Sequence, residues 1–112
     1  MKKILIVDDE PQIKKLLPLI LTAYSTRFAE SVDEALEILK NEFFDLIITD
    51  KKMPGKSGRD LIRSVKKKYS ETPIILMTGE VSTDTSKIKV DCIEKPFSDE
   101  DLLKIIEKNI SP

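Results

Sequence analysis

Five polar residues follow the ends of four predicted strands, and their chemical types suit phosphoryl transfer. They are Asp8, Asp9, Asp50, Thr78 and Lys95. Three carboxylates that lie close together repel one another, so they need cations beside them. Lys95 supplies one positive charge, and a hard divalent ion with oxygen ligands, for which Mg²⁺ is the best candidate, would supply the rest. A metal, a free carboxylate, a hydroxyl and an ammonium in one crevice are groups that phosphoryl transfer uses.

The strands that carry these residues are predicted from continuous apolar runs. The three clearest runs are Ile4-Leu5-Ile6-Val7, Leu46-Ile47-Ile48 and Ile74-Ile75-Leu76-Met77. Continuous runs are typical of strands buried on both faces of a parallel sheet. Two weaker strands are expected near Thr26–Ala29 and Cys92–Glu94. Because the carboxyl ends of parallel strands lie along one edge, the five polar side chains should converge on one crevice.

Four helical patterns accompany the strands, each with one apolar stripe at spacings of three and four residues. The stripes are Ile13, Leu16, Leu17, Ile20 and Leu21; Val32, Ala35, Leu36 and Leu39; Leu61, Ile62, Val65 and Tyr69; and Leu102, Ile105, Ile106 and Ile110. Ser31 and Ser98 are the predicted N-caps of the second and last helices. Alternating strands and helices predict an α/β fold with right-handed crossovers and helices on both faces of a parallel sheet.

Composition excludes several kinds of chemistry. The 112 residues suffice for one core, contain no histidine and contain a single cysteine, Cys92. Imidazole catalysis, His-ligated metals and an internal disulfide are therefore excluded. A formal net charge of -1 offers no global attraction to nucleic acid, and no apolar run approaches the roughly 20 residues that span a bilayer. We expect one cytoplasmic domain over residues 1–112 that binds no nucleic acid and inserts into no membrane.

From Lys2 to about Ile110, the sequence resembles the response-regulator receiver domains of two-component signalling. The matching motifs are Ile4-Leu5-Ile6-Val7-Asp8-Asp9-Glu10-Pro11, Asp45-Leu46-Ile47-Ile48-Thr49-Asp50-Lys51-Lys52-Met53-Pro54-Gly55, Ser57-Gly58, Pro73-Ile74-Ile75-Leu76-Met77-Thr78-Gly79 and Lys95-Pro96-Phe97. The resemblance implies a flavodoxin-like, doubly wound sheet of five parallel strands in the order 2-1-3-4-5. It also implies a stand-alone phosphoacceptor in a phosphorelay, served by a sensor histidine kinase or a histidine phosphotransferase.

The same resemblance implies a role for each residue of the acidic site. Asp50 would be the phosphoacceptor. Asp9 and Asp50 would bind Mg²⁺ directly, together with the backbone carbonyl of Lys52, while Asp8 would act largely through water. Lys95 would pair with the Asp50 carboxylate and later with the phosphoryl oxygens, and the bond from Lys95 to the following proline is typically cis in this family. With no histidine, the chain can receive a phosphoryl group on aspartate but cannot be the histidine donor.

Four positions are expected to govern the switch and its lifetime. Thr78 would swing its hydroxyl onto the phosphoryl group. The family usually carries an aromatic residue that rotates with this threonine, and here the position holds Cys92, which we interpret as a small buried apolar residue without a redox role. Lys52 and Glu80 would border the path of the hydrolytic water, and together they predict slow autodephosphorylation.

The segment between the fourth and fifth strands departs from the family. It is shorter than usual, and residues 79–89 are polar without a clear apolar stripe. We therefore expect a shortened or missing fourth helix. Because that helix and the last strand form the family's usual output surface, the downstream target stays unknown and the signal is expected to leave by another route.

A partner that brings phosphohistidine over the crevice must dock on the elements beside it. Ile13, Lys14, Leu17 and Phe97 are predicted to contribute to this partner surface, although Ile13 and Leu17 could equally be core residues. The domain is expected to be a monomer.

Two other functions remain open at this point. A pseudo-receiver would be an interaction module that needs no phosphorylation, an alternative favoured by Cys92 and by the short segment before it. A small Asp-dependent phosphatase would need a second aspartate two residues after the nucleophile, where this chain has Lys52.

Overall fold

The computed structural model describes residues 1–53, 55–79 and 89–110. Within these residues, the structure contains five strands and four helices. The strands are β1 (Lys3–Val7), β2 (Ser25–Ala29), β3 (Leu46–Asp50), β4 (Ile74–Thr78) and β5 (Asp91–Glu94). The helices are α1 (Pro11–Ile20), α2 (Val32–Asn41), α3 (Gly58–Lys68) and α4 (Asp99–Asn109). None of these helices is long and apolar enough to cross a membrane.

The strands form one sheet in the order β2-β1-β3-β4-β5. Every neighbouring pair is parallel, and β1 pairs with both β2 and β3. β2 is therefore added on one side of β1, whereas β3, β4 and β5 are added on the other. The strand order reverses between β1 and β3, and ligands bind at this topological switch point in sheets of this kind. The predicted doubly wound, flavodoxin-like α/β sheet is confirmed.

The sheet separates two apolar clusters, which explains the continuous runs of its central strands. Successive strand residues point to opposite faces, so a strand covered on both faces must be apolar throughout. One cluster joins alternate strand residues to α1 and α4, through Ile4, Ile6, Ile48, Leu17, Leu102 and Ile106. The other joins the remaining strand residues to α2 and α3, through Leu5, Val7, Ile47, Ala35, Leu61 and Val65.

Serine side chains cap the N-termini of three of the helices. The Glu34 amide donates to Ser31 Oγ (3.1 Å), and the Asp101 amide donates to Ser98 Oγ (3.0 Å), so both predicted N-caps are confirmed. At the start of α3, Ser57 and Asp60 form a reciprocal capping box, in which the Ser57 amide donates to Asp60 Oδ2 at 2.8 Å. The sequence contains the spacing typical of this third cap, a serine followed three residues later by an acidic residue.

The apolar stripe of α1 is narrower than predicted. Ile13 and Leu17 are 8% and 0% exposed and pack in the core, the alternative that the sequence left open for them, so they offer little side-chain surface to a partner. Leu16, in contrast, is 45% exposed. Residues 13 and 17 lie one turn apart on the face of α1 that covers the sheet, whereas residue 16 is rotated away from that face.

The predicted shortening or loss of a helix between β4 and β5 concerns residues 80–88, which lie outside the described residues.

Candidate functional site

The polar residues predicted to converge do lie together at the carboxyl edge of the sheet. An open crevice of about 650 Å³ at this edge is lined by Asp9, Glu10, Asp50, Lys51, Lys52, Thr78, Gly79 and Lys95. Asp8 lies beneath Lys95 and contacts it. The crevice sits where β1 and β3 are neighbours, at the reversal point of the sheet.

The two aspartates after β1 differ in burial. Asp8 is buried, and its backbone amide donates to the carbonyl of Ala29 (3.0 Å), which ties it to the end of β2. Its Oδ1 accepts from the backbone amide of Glu10 at 2.9 Å. Asp9 is exposed. One carboxylate oxygen from each of Asp8, Asp9 and Asp50 lies within 4.8 Å of the others.

Asp50 is buried at the end of β3, and the chain folds back closely over it. The next residue continues the sheet, since the Lys51 amide donates to the carbonyl of Met77 (2.9 Å). The amide of Gly58, at the start of α3, returns to donate to the Lys51 carbonyl at 3.0 Å. A Cβ on Gly58 would overlap the carbonyl oxygen of Asp50. Glycine at position 58 therefore permits the close approach that fixes Asp50, a role that the sequence analysis missed.

Lys95 lies at the centre of the charged groups. Its ammonium nitrogen is 3.1 Å from Asp50 Oδ1, 3.2 Å from Glu10 Oε1 and 3.3 Å from Asp8 Oδ2. Its backbone amide donates to the Thr78 carbonyl at 2.7 Å, which fixes the end of β5 beside β4. The peptide bond between Lys95 and Pro96 is cis, as the resemblance implied.

The charges of the site are only partly compensated. Burial raises the pKa of Asp8 against the opposing effects of the Glu10 amide and of Lys95. Burial also raises the pKa of Asp50, the negative charge of Asp8 adds to the rise, and the hydrogen bond from Lys95 opposes it. Burial alone would lower the pKa of Lys95, but the bond to Asp50 and the charges of Asp50 and Asp8 raise it overall. One ammonium is thus surrounded by more negative charge than it neutralises.

This arrangement fits a hard divalent cation. The three aspartates offer closely spaced carboxylate oxygens, the ligands that Mg²⁺ prefers. Burial raises the pKa of two of them, Asp8 and Asp50, and a bound cation would favour their charged forms. Lys52, whose backbone carbonyl the resemblance assigns to the metal, also lines the crevice. A small oxygen-binding cation therefore has both a donor set and an electrostatic reason to bind here.

Thr78 and Cys92 lie on neighbouring strands. Thr78 is buried at the end of β4 and lines the crevice. Cys92 pairs in register with Leu76, two residues before Thr78, so both side chains belong to the same face of the sheet. Cys92 is half-buried against the cluster under α2 and α3, and burial raises the pKa of its thiol. A half-buried thiol of raised pKa agrees with a packing residue more than with a reactive one.

The remaining predicted residues are more dispersed. Lys14 is exposed on α1 and pairs with Glu30 at 3.8 Å. Phe97 follows the site lysine and packs, partly buried, against the cluster under α1 and α4. Lys52 is exposed at the crevice, whereas its expected counterpart Glu80 lies outside the described residues.

Comparison with known proteins gives a consistent result. The family model of the response regulator receiver domain matches residues 4–107. The response regulator protein PilR of Pseudomonas aeruginosa is 42% identical over 87 residues, a match that covers 76% of this chain and 20% of PilR. The chain thus spans about a fifth of that relative.

Solved structures share the fold over nearly their whole length. The chemotaxis protein CheY4 of Vibrio cholerae superposes with a TM-score of 0.90 at 31% identity, covering 96% of this chain and 98% of that one. The response regulator TrrA of Thermotoga maritima, solved in complex with Mg²⁺ and BeF, gives a TM-score of 0.88 at 35% identity, covering 97% and 99%. The chain belongs to the response regulator receiver domain family of two-component signalling.

Proposed function

We propose that Asp50 accepts a phosphoryl group from a phosphohistidine of a sensor histidine kinase or histidine phosphotransferase, in a Mg²⁺-dependent reaction. The observation that carries the proposal is the Lys95 ammonium 3.1 Å from the Asp50 carboxylate, inside a cluster of three aspartates at the reversal point of the sheet. A buried carboxylate with a fixed cation beside it is placed to attack phosphorus and to have the resulting charge stabilised.

The reaction is a displacement at phosphorus. A carboxylate oxygen of Asp50 forms a new O–P bond while the N–P bond of the phosphohistidine breaks, and the departing imidazole nitrogen keeps the electron pair. Negative charge spreads over the equatorial phosphoryl oxygens. Lys95, already within hydrogen-bonding distance of Asp50, stabilises that charge, and the Thr78 hydroxyl at the end of β4 provides a further donor. Later attack of water on phosphorus releases phosphate and restores the carboxylate.

Mg²⁺ is the implied cofactor, and Asp8, Asp9, Asp50 and the Lys52 carbonyl would hold it. When bound, the ion supplies positive charge to the carboxylates and the phosphoryl oxygens. The protein's contribution is the fixed position of these ligands, because β1 and β3 end side by side and Asp8 is tied down by the Glu10 amide. Asp9, the exposed member, faces the solvent from which the cation arrives.

The partner surface proposed here differs from the sequence-based one. Lys14 and Phe97 stay in it, because Lys14 is exposed on α1 and Phe97 directly follows Lys95-Pro96. Exposed Leu16 replaces the buried Ile13 and Leu17 as the apolar anchor on α1. Apolar side chains within a polar rim are typical of residues that dominate binding at protein interfaces.

Phosphotransfer tests the proposal directly. The chain is incubated with a panel of radiolabelled, autophosphorylated histidine kinases, with Mg²⁺ or with EDTA. We expect label on the wild type only with Mg²⁺, none on Asp50→Asn, and wild-type labelling of Asp33→Asn, an exposed aspartate of α2. Equal labelling of Asp50→Asn and wild type would refute the assignment. A folded wild type that accepts no label would favour the interaction module, and turnover of small phosphate esters would favour the phosphatase.

A further inference from the structure

Glu10 makes a contact that the proposed phosphotransfer does not use. Its Oε1 lies 3.2 Å from the Lys95 ammonium, as close as the two aspartates that share the same cation. Its backbone amide also donates to Asp8 Oδ1 at 2.9 Å. Glu10 is the N-cap residue of α1, yet its side chain caps no helix amide. Backbone and side chain of Glu10 therefore both engage the site.

The three carboxylates around Lys95 are unequally buried. The side chains of Asp8 and Asp50 are 1% and 11% exposed, whereas that of Glu10 is 51% exposed. A buried carboxylate that loses its cation pays a large desolvation cost, while a half-exposed one is solvated again by water. Of the three contacts, the one with Glu10 is the easiest for Lys95 to leave.

An ammonium has three N–H donors, and in this structure three carboxylates surround it. A phosphoryl group on Asp50 adds strong acceptor oxygens beside the same ammonium. Because the Asp50 carboxylate becomes an acyl phosphate, one phosphoryl oxygen replaces it as an acceptor of Lys95. Lys95 can bind a second phosphoryl oxygen only by giving up its contact with Asp8 or Glu10. Because Glu10 is the partner that water replaces most readily, its contact is the one given up.

We propose that Glu10 is a positioning residue that holds the Lys95 ammonium in the unphosphorylated site and releases it to the phosphoryl group formed on Asp50. The inference rests on the proposed function of Asp50. Glu10 then competes with the phosphoryl oxygens for Lys95. Removing the competitor strengthens the hold of the site on a phosphoryl group or on an anion of the same shape.

Calorimetric titration with beryllofluoride at saturating Mg²⁺ tests this competition. We expect Glu10→Gln to lower the Kd for beryllofluoride by about two- to fivefold, the size of effect expected for a half-exposed ion pair. Glu10→Asp keeps the charge but shortens the side chain by one methylene, so it should behave like Glu10→Gln. Glu30→Gln is the matched control, because Glu30 follows β2 at the same sheet edge but pairs with Lys14. Its Kd should equal that of the wild type.

Mg²⁺ titration without beryllofluoride separates positioning of Lys95 from an effect on the metal site. The Kd for Mg²⁺ should stay within about twofold of wild type in Glu10→Gln, since Glu10 is outside the cluster of three aspartates. Three results would overturn the inference: an unchanged beryllofluoride Kd in Glu10→Gln, a wild-type Kd in Glu10→Asp, or an equal change in the Mg²⁺ Kd. In each of these three cases the proposed function stays intact if the wild type binds beryllofluoride and Asp50→Asn does not. If the folded wild type binds no beryllofluoride, both the inference about Glu10 and the proposed function of Asp50 are overturned.

Discussion

Replacement of Gly58 by alanine should damage both the stability and the site, against the usual preference of helices for alanine. The new Cβ would overlap the Asp50 carbonyl oxygen and lie 3.1 Å from its carbonyl carbon and 3.2 Å from Leu76 Cδ1. The backbone at Asp50 belongs to a central strand and cannot yield, so the start of α3 must move by about 1 Å to restore normal contact distances.

The size of the loss follows from the contacts at this helix start. Alanine gains at most about 1 kcal/mol over glycine in a helix. Overpacking costs about 1–3 kcal/mol. The displacement of α3 also weakens the 3.0 Å hydrogen bond from the Gly58 amide to the Lys51 carbonyl, which is worth about 1 kcal/mol. The net expectation is a loss of about 2 kcal/mol, or about 8 °C in Tm for a domain of this size.

Urea unfolding followed by circular dichroism measures the loss, with two other glycines as matched controls. Gly79→Ala should not destabilise, because a Cβ there meets nothing within 4 Å. Gly55→Ala should cost about 1–2 kcal/mol for a different reason, its φ of +80°. If the free energy of unfolding of Gly58→Ala lies within about 0.5 kcal/mol of the wild-type value, the close approach of α3 to Asp50 is not a constraint and the prediction is refuted.

Three further expectations concern other parts of the molecule. Tyr69→Phe removes the hydroxyl that donates to the Leu39 carbonyl (3.2 Å), and should lower the free energy of unfolding by about 0.5–1.5 kcal/mol in urea titrations. The hydrogen bond from Asn109 holds the pKa of Asp91 below its usual value of 3.8, so this carboxylate stabilises the fold above that pH and loses its effect as the pH falls through the lowered pKa. The Tm difference between wild type and Asp91→Asn should accordingly shrink from pH 6 to pH 3, and a constant difference would contradict the assignment. Lys52→Asn should speed decay of the aspartyl phosphate at saturating Mg²⁺, since the exposed ammonium at the crevice no longer obstructs water, and equal decay rates would show that Lys52 points away.

The sheet and the convergence of the site were predictable because both follow from local patterns. The apolar runs of β1, β3 and β4 are continuous because helices cover both faces of the sheet. Parallel strands also bring residues such as Asp9, Asp50 and Lys95 to one edge of the sheet. These inferences need only the direction of the strands, which the alternating helices imply.

What the sequence could not provide depends on tertiary proximity. Leu16 and Leu17 are the same residue type and adjacent, and periodicity alone does not tell which of them faces the sheet. Gly58 matters because α3 begins against the Asp50 carbonyl, a distance that no spacing rule contains. The contact of Glu10 with Lys95 joins residues 85 positions apart, and only the folded sheet places them together.

The central claim is that Asp50 receives the phosphoryl group, and reductive trapping tests it at the level of the residue. Borohydride converts an aspartyl phosphate to homoserine, which peptide sequencing by mass spectrometry then locates. After phosphotransfer in the presence of Mg²⁺, the account predicts homoserine at position 50 and at neither Asp8 nor Asp9. Homoserine at either of those aspartates, with position 50 unmodified, would contradict it.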